Sequence, residues 1–497
     1  VKRPLATFES KLRAHQFAPA ARLSLLLDRH GAALDRSDTG VGKTYTGAAI
    51  VAAQNVGTLV VAPKIARTSW LRALEYMGTE ADFSNYEMVR TGRTPFGTWE
   101  HQENAGQRTE YFRCQCCQRT VDLSPEGVPG PDWAPCYTHP LGIHCVEQRR
   151  RSLPKGKFLW NPAVEFLVFD EVHRCNGMDS DNAELLIGAK RQGIPVLGLS
   201  ATPGVSPLNL KALGYVLGLH DLTDFSNFLR KFACRPDPRF HGWRWMAGRK
   251  LQVKLMAGLN ESLDARGVRV RVDSIPGFPE CDITAELFDL EAGGRIDELY
   301  KEMEEPLEEL ARKSETDIDS PLIRILRARQ KIELLKVPVF EELARDYVAK
   351  GLHVAIFVNF HASLDALRER LSCACVIDGR QKADERQACI DAFQADLEPV
   401  VLANSAAGGI CVNLHDVRGE FPRMGLVSLS FSSTEAKQLF GRLRRDGGKS
   451  KSHYRCILAA GTVETQIHRS LSAKLDNLDA LTDGDLMPEN LRILART

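Results

Sequence analysis

Six short apolar, β-rich runs constrain this chain more than any other feature: TLVVAP (58–63), FLVFDE (166–171), PVLGLSAT (195–202), HVAIFVNF (353–360), PVVLANS (399–405) and GLVSLSF (425–431). Each is followed by a stretch of helical character, and strands that alternate with helices pack as parallel sheets covered on both faces. The runs fall into two groups, before about residue 235 and after about residue 336, so the expected fold class is α/β with two lobes. The expected boundaries are a first lobe over 1–235, a linker and helical insertion over 236–335, a second lobe over 336–462 and closing brace helices over 463–497. A chain of 497 residues is long enough for two or three such packed units.

Two segments break the rhythm. Residues 97–160 are polar and rich in Pro, Gly and Cys, as an insertion into the first lobe would be. Residues 284–350 are charged and helical, acidic LYKEMEEPLEELARK preceding basic IRILRARQKIELLK, a pattern that suits a solvated helical face. No run approaches the roughly 20 apolar residues of a membrane-spanning helix, so no membrane partner and a cytoplasmic location are expected. The net charge of +1 offers no global attraction to a polyanion, so contacts to nucleic acid must come from local basic patches.

The chemistry concentrates at two places in the first lobe. Residues 37–44 read SDTGVGKT, followed by helical YTGAAIVAAQ. In such a loop Thr39, Gly40 and Gly42 let backbone N–H groups turn inward around phosphate, Lys43 reaches the β- and γ-phosphates, and Thr44 holds Mg²⁺. Ser37 stands where the widest form of the pattern has its first glycine. Further on, FLVFDEVHR ends an apolar strand with two carboxylates: Asp170 suits Mg²⁺, and Glu171 suits the orientation or deprotonation of an attacking water. ATP and Mg²⁺ are therefore the expected cofactors.

With DEVH followed by Ser200-Ala201-Thr202 after another strand, the chain resembles the helicase superfamily two, whose cores are two RecA-like lobes. The resemblance continues through RAHQFAPAARL, where Gln16 matches an adenine-reading glutamine, and VVAPKIARTSW, whose Trp70 is typical of the SWI/SNF-like branch. It continues in NSAAGGICVNL (404–414), with Gly408 and Gly409, and in QLFGRLRR (438–445), which carries Gln438 and the arginine-finger candidates Arg442 and Arg445. By this resemblance Ser200, Thr202, Gly408 and Gly409 couple ATP to the track, while Gln438 joins the nucleotide site. A planar guanidinium supplies fixed donors to the phosphoryl transition state, and the spacing of three places both arginines on one helical face. Cys411 replaces a family glycine. TPGVSPLNLKALGYVLGL, FSNFLRKF and GTVETQIHRSLSAKLDNLDAL resemble that branch's later helices, and the stretch entering HVAIFVNF resembles compact annealing helicases.

Cys114-x-x-Cys117 and Cys136-x-x-His139 supply four ligands of the kind tetrahedral Zn²⁺ takes, with Cys145 as an alternative to His139 and Cys116 as an alternative to a neighbour. Such a zinc would be structural, since four protein ligands leave no open position. Arg149, Arg150, Arg151, Lys155 and Lys157 suit either DNA phosphate or plain solvent. The resemblance implies a DNA-dependent ATPase that translocates on duplex or branched DNA, held mainly through the phosphate backbone, with a possible protein partner from replication, repair or recombination. A strand-separating DNA or RNA helicase is the nearest alternative. A nucleotide-gated recruitment factor is the alternative from another class.

Overall fold

The computed structural model of the chain describes residues 2–101, 108–114, 120–122, 146–152, 156–204, 206–237, 242–246, 248–288, 329–405, 412–429, 433–459 and 492–495. In chain order the strands of the first half are β1 (Ala32–Asp35), β2 (Thr58–Val61), β3 (Asp82–Ser84), β4 (Gly97–His101), β5 (Arg108–Cys114), β6 (Thr120–Asp122), β7 (Val146–Ser152), β8 (Gly156–Trp160), β9 (Phe166–Asp170), β10 (Val196–Leu199), β11 (Cys234–Asp237), β12 (Gly242–Trp245) and β13 (Gly267–Val268). Six of them form one sheet in the order β13-β1-β10-β9-β2-β3, and every pairing in it is parallel. β1, β2, β9 and β10 are buried along their whole length, as strands covered on both faces must be. Part of that cover comes from helices α1 (Ala14–His30), α2 (Lys43–Gln54) and α3 (Arg67–Met77), whose apolar residues share one core with β1, β2, β9 and β10.

The second sheet contains β14 (Cys281–Phe288), β15 (His353–Val358), β16 (Val376–Ile377), β17 (Val400–Asn404), β18 (Arg423–Val427), β19 (Ser452–Ala459) and β20 (Arg492–Ala495). Their order is β16-β17-β15-β18-β19-β14-β20, again with every pairing parallel. The fold is thus α/β with two parallel-sheet lobes. All six apolar runs carry strands: β2, β9, β10, β15, β17 and β18.

The structure revises the expected linker and brace. β13 and β14 both lie within 236–335, yet β13 pairs with β1 and β14 with β19, so this stretch contributes a strand to each sheet. β20, inside the segment expected to form brace helices, pairs parallel with β14. In both cases an open sheet edge is satisfied by a distant piece of chain, a tertiary demand that local charge pattern does not record.

Register decides where function can sit. Asp35 pairs with Leu199 and Leu199 with Asp170, so the ends of β1, β10 and β9 lie side by side. The phosphate loop, the Asp-Glu pair and Ser200-Ala201-Thr202 therefore leave the sheet at one edge, the carboxyl edge at which α/β sheets bind ligands.

The roots of the 97–160 segment are packed into the first lobe's core. β4 and β8 pair antiparallel and bury Trp99, Phe158 and Trp160. Ring centroids step inward from Trp99 to Phe158 (5.2 Å), to Trp160 (4.9 Å) and to Phe169 on β9 (6.2 Å). The Gln192 amide pairs with both backbone groups of Trp160, at 2.7 and 3.0 Å. Beyond these roots β6-β5-β7 form a separate antiparallel sheet in which Cys114 is registered with Val146. Cys117, Cys136, His139, Cys145 and Cys116 lie outside the described residues, as do Gly408, Gly409 and Cys411. Among the described residues no helix is long and apolar enough to cross a membrane, and no cluster of metal-ligating side chains occurs.

Candidate active site at the lobe interface

The path of the phosphate loop is set by its glycines. Gly40 and Gly42 adopt φ of +86° and +90°, conformations that favour glycine, and Gly42 caps α2. Ser37, the departure from the widest loop pattern, accepts the Val270 N–H through its Oγ at 2.8 Å, and Asp38 accepts the Val272 N–H at 3.0 Å. The chain that follows β13 thus braces the loop from outside. Lys43 Nζ donates to the carbonyls of Ser37 and Asp38 at 2.8 and 2.9 Å. Gln16 accepts the Arg13 N–H at 3.0 Å and donates to Val41 O at 3.1 Å, so its amide supports the loop as well as facing the cleft.

Asp170 is fixed at three atoms. Its Oδ2 accepts the Trp70 indole N–H at 2.8 Å, its Oδ1 accepts the Glu171 N–H at 3.0 Å, and its carbonyl accepts the Tyr86 hydroxyl at 2.8 Å. Glu171 then turns out of the strand in a left-handed conformation (φ +56°, ψ +50°), unusual for a residue with a side chain. This places its carboxylate beside His173, whose Nδ1 lies 3.3 Å from Glu171 Oε2 and 3.0 Å from Ser200 Oγ. Ser200 Oγ in turn accepts the Thr202 N–H at 3.2 Å.

Burial and the adjacent Glu171 charge push the Asp170 carboxyl above its ordinary range. For Glu171 burial pushes the same way, but the His173 hydrogen bond and the charges of His173, Lys43 and Arg442 outweigh it and hold the carboxyl below its usual range. The environment thus splits the pair: Glu171 stays ionised, the state required of a proton acceptor.

The second lobe completes the site. From the helix Ser433–Phe440, Gln438 Nε2 donates to Glu171 Oε2 at 3.1 Å across the interface. That helix ends at Phe440, so Arg442 and Arg445 occupy the turn beyond it rather than one helical face. The turn presses onto the phosphate loop. Asp446 N–H donates to Gly40 O at 3.1 Å, and a Cβ at Gly441 would stand 2.1 Å from Thr39 Oγ1. Arg13 bonds Asp446 across the same seam. With the helix ended at Phe440 and the turn held close to the phosphate loop at Gly40 and Gly441, a spacing of three does not put the arginines on one helical face.

One cleft of about 460 Å³ gathers Gln16, Thr39, Gly40, Gly42, Lys43, Thr44, Asp170, Glu171, Arg442 and Arg445, a size within the usual range for small-molecule sites. Its positive-φ glycines, the lysine, the threonine hydroxyl and the carboxylates fit a magnesium nucleotide: Thr44 and Asp170 would hold Mg²⁺, which when bound neutralises phosphate charge. Ser200, Thr202 and Gln438 sit behind this cleft, tied to Glu171 directly or through His173. His173 and Gly441 stand inside the DEVH and QLFGRLRR motifs, but their contacts to Glu171 and Thr39 have no local signature. His415 and Asp446, which also line the cleft, carry no signal in the sequence because only the packing of the second lobe against the first brings them there.

No family model matches the chain. A protein of Acanthamoeba polyphaga mimivirus described as "Putative ATP-dependent RNA helicase" is 31% identical over 490 residues, covering 96% of this chain and 84% of that protein. Among solved structures, S. cerevisiae Dbp5 bound to RNA and ADP BeF3 overlays with a TM-score of 0.43 at 10% identity over 98% of this chain and 95% of that one. A variant of Dbp5 with the same ligands gives 0.44 at 11% identity, over 98% and 94%. Taken with a phosphate loop, a DEVH pair and second-lobe arginines around one cleft, the mimivirus relative shows that this chain belongs to the superfamily-two helicases and is an ATP-hydrolysing enzyme.

Proposed function

We propose that the chain is an ATP-driven nucleic-acid motor that separates strands, with RNA as its substrate class. The observation that carries the motor is the bond from Gln438 in one lobe to Glu171 in the other, beside Arg442 and the phosphate loop. With catalytic groups divided in this way, hydrolysis is completed on closure and reopening follows loss of the γ-phosphate, which makes lobe movement the output of the chemistry. RNA is favoured because the mimivirus relative is named for it.

Duplex or branched DNA remains the second reading, favoured by the motif resemblance to SWI/SNF-like translocases at Trp70 and along the stretch after Ser200-Ala201-Thr202. ATP turnover measured with tailed RNA duplex, single-stranded RNA, DNA duplex and forked DNA tests the choice. Stimulation by RNA, with release of the paired strand, is expected. Stimulation by duplex DNA alone would replace the RNA reading with the DNA reading, and no stimulation by any polynucleotide would remove the motor.

The segment between β4 and β8 is assigned a structural Zn²⁺, held by Cys114 and Cys117 with Cys136 and His139 or Cys145. The pairing of Cys114 with Val146, the residue after Cys145 in the chain, supports the Cys145 alternative. Metal analysis after dialysis against a weak chelator should return about one zinc per chain. A metal-free protein of undiminished stability would contradict the assignment.

A further inference from the structure

Trp70 lies on α3, away from the phosphate loop in sequence, yet it is fully buried between α2 and the end of β9. Its indole N–H donates to Asp170 Oδ2 at 2.8 Å. On its other side the ring rests on α2: a Cβ at Gly47 would stand 2.8 Å from Trp70 Cη2, so only glycine lets the ring approach this closely. One side chain thus touches the helix that begins with Lys43 and Thr44 and the carboxylate at the end of β9.

We propose that Trp70 is a positioning residue for metal-nucleotide binding, which sets the plane of the Asp170 carboxylate relative to Thr44. The proposal rests on the reading of Asp170 as a Mg²⁺ ligand. A carboxylate has about four lone-pair sites. The Trp70 N–H and the Glu171 N–H occupy one on each oxygen and stop the group from rotating, while further lone pairs remain for the cation. Asp170 is buried, so a lost N–H partner would not be replaced freely by solvent. Packing alone would be served by any large apolar side chain; the N–H aimed at the carboxylate is what packing does not require.

The test is the Mg²⁺ concentration that half-saturates binding of a fluorescent ATP analogue to the full chain, with the apo thermal midpoint recorded alongside. Trp70→Phe removes the N–H but also some volume. Site-specific replacement of the same indole by benzothiophene, as benzothienylalanine, keeps the volume and removes only the donor, so a folding defect in the first variant does not end the test. Both should raise the half-saturating Mg²⁺ concentration about tenfold, the scale of a hydrogen bond to a charged group. Affinity for the analogue without Mg²⁺ should stay unchanged. Asp170→Asn is the reference and should shift the Mg²⁺ requirement further. If Asp170→Asn shifts it and the benzothiophene protein does not, Trp70 only packs and the proposal is overturned. If Asp170→Asn itself leaves the requirement unchanged, the reading of Asp170 falls and the proposal falls with it.

Discussion

On the first lobe's face of the cleft the functional groups are held by their own lobe: Lys43 by two carbonyls, Asp170 at three atoms, and Ser37 and Asp38 by the chain beyond β13. The second lobe's face is carried differently. Arg442 and Arg445 ride in a turn past the end of a helix, and that turn is seated against Thr39 and Gly40 of the opposite lobe. In the proposed function the first face grips phosphate and the second takes its catalytic place on closure. That reading needs the division, because an arginine permanently fixed on the phosphate would leave hydrolysis uncoupled from movement.

Removing the second face's charge should break the comparison most severely. Arg442→Ala is expected to lower kcat by about 10³–10⁵-fold, the range for an arginine finger, while ATP binding changes far less. Arg442→Lys should recover little, since an ammonium lacks the planar fork. Steady-state turnover together with equilibrium ATP binding checks both, and a parallel loss of binding and turnover would make Arg442 part of the grip.

Obstructing closure should come next. Gly441→Ala introduces a Cβ about where Thr39 Oγ1 stands, 2.1 Å away, and 2.5 Å from Thr39 Cβ, so the turn must lift from the phosphate loop. A displacement of this kind is expected to cost about 10²-fold in kcat with ATP affinity largely kept. Wild-type turnover from this variant would show that the seam is not the catalytic state.

How far the site was legible in the sequence follows the same division. The phosphate loop and the Asp-Glu pair are contiguous, and each follows a buried strand, so residue types and order located them. Trp70 was visible as a motif residue, but its bond to Asp170 joins residues 100 positions apart and has no local signature. The motif marks Arg442 and Arg445 but not their geometry, because a spacing of three matches a helical face whether or not the helix continues past Phe440. The strands in the linker and the C-terminal segment are illegible for a similar reason: a charged or helical composition does not exclude a strand that a sheet pairs with from far along the chain. The main lobes were legible because continuous apolar runs have few alternatives to a strand covered on both faces.

The smallest expected effect sharpens the contrast through pH. Burial, then the charges of Arg445 and Arg423, depress His415 to about 4, so it is neutral in the folded protein and protonated in the unfolded chain below its ordinary value of 6.5. The unfolded state therefore binds more protons across that window, and this contribution to stability is lost as pH falls from 6.5 toward 4. The thermal midpoint of wild type should fall relative to that of His415→Gln as pH is lowered from 6.5 toward 4. A constant difference across that range would show that His415 titrates alike in both states.

The central claim is that hydrolysis is performed by Glu171 of the first lobe in a site completed by the second. Single-turnover hydrolysis by Glu171→Gln, measured with enzyme in excess over radiolabelled ATP, tests it most directly. The variant should bind ATP with near wild-type affinity and hydrolyse it about 10²–10⁴-fold more slowly, the scale of a lost general base. Hydrolysis at the wild-type rate would contradict the account.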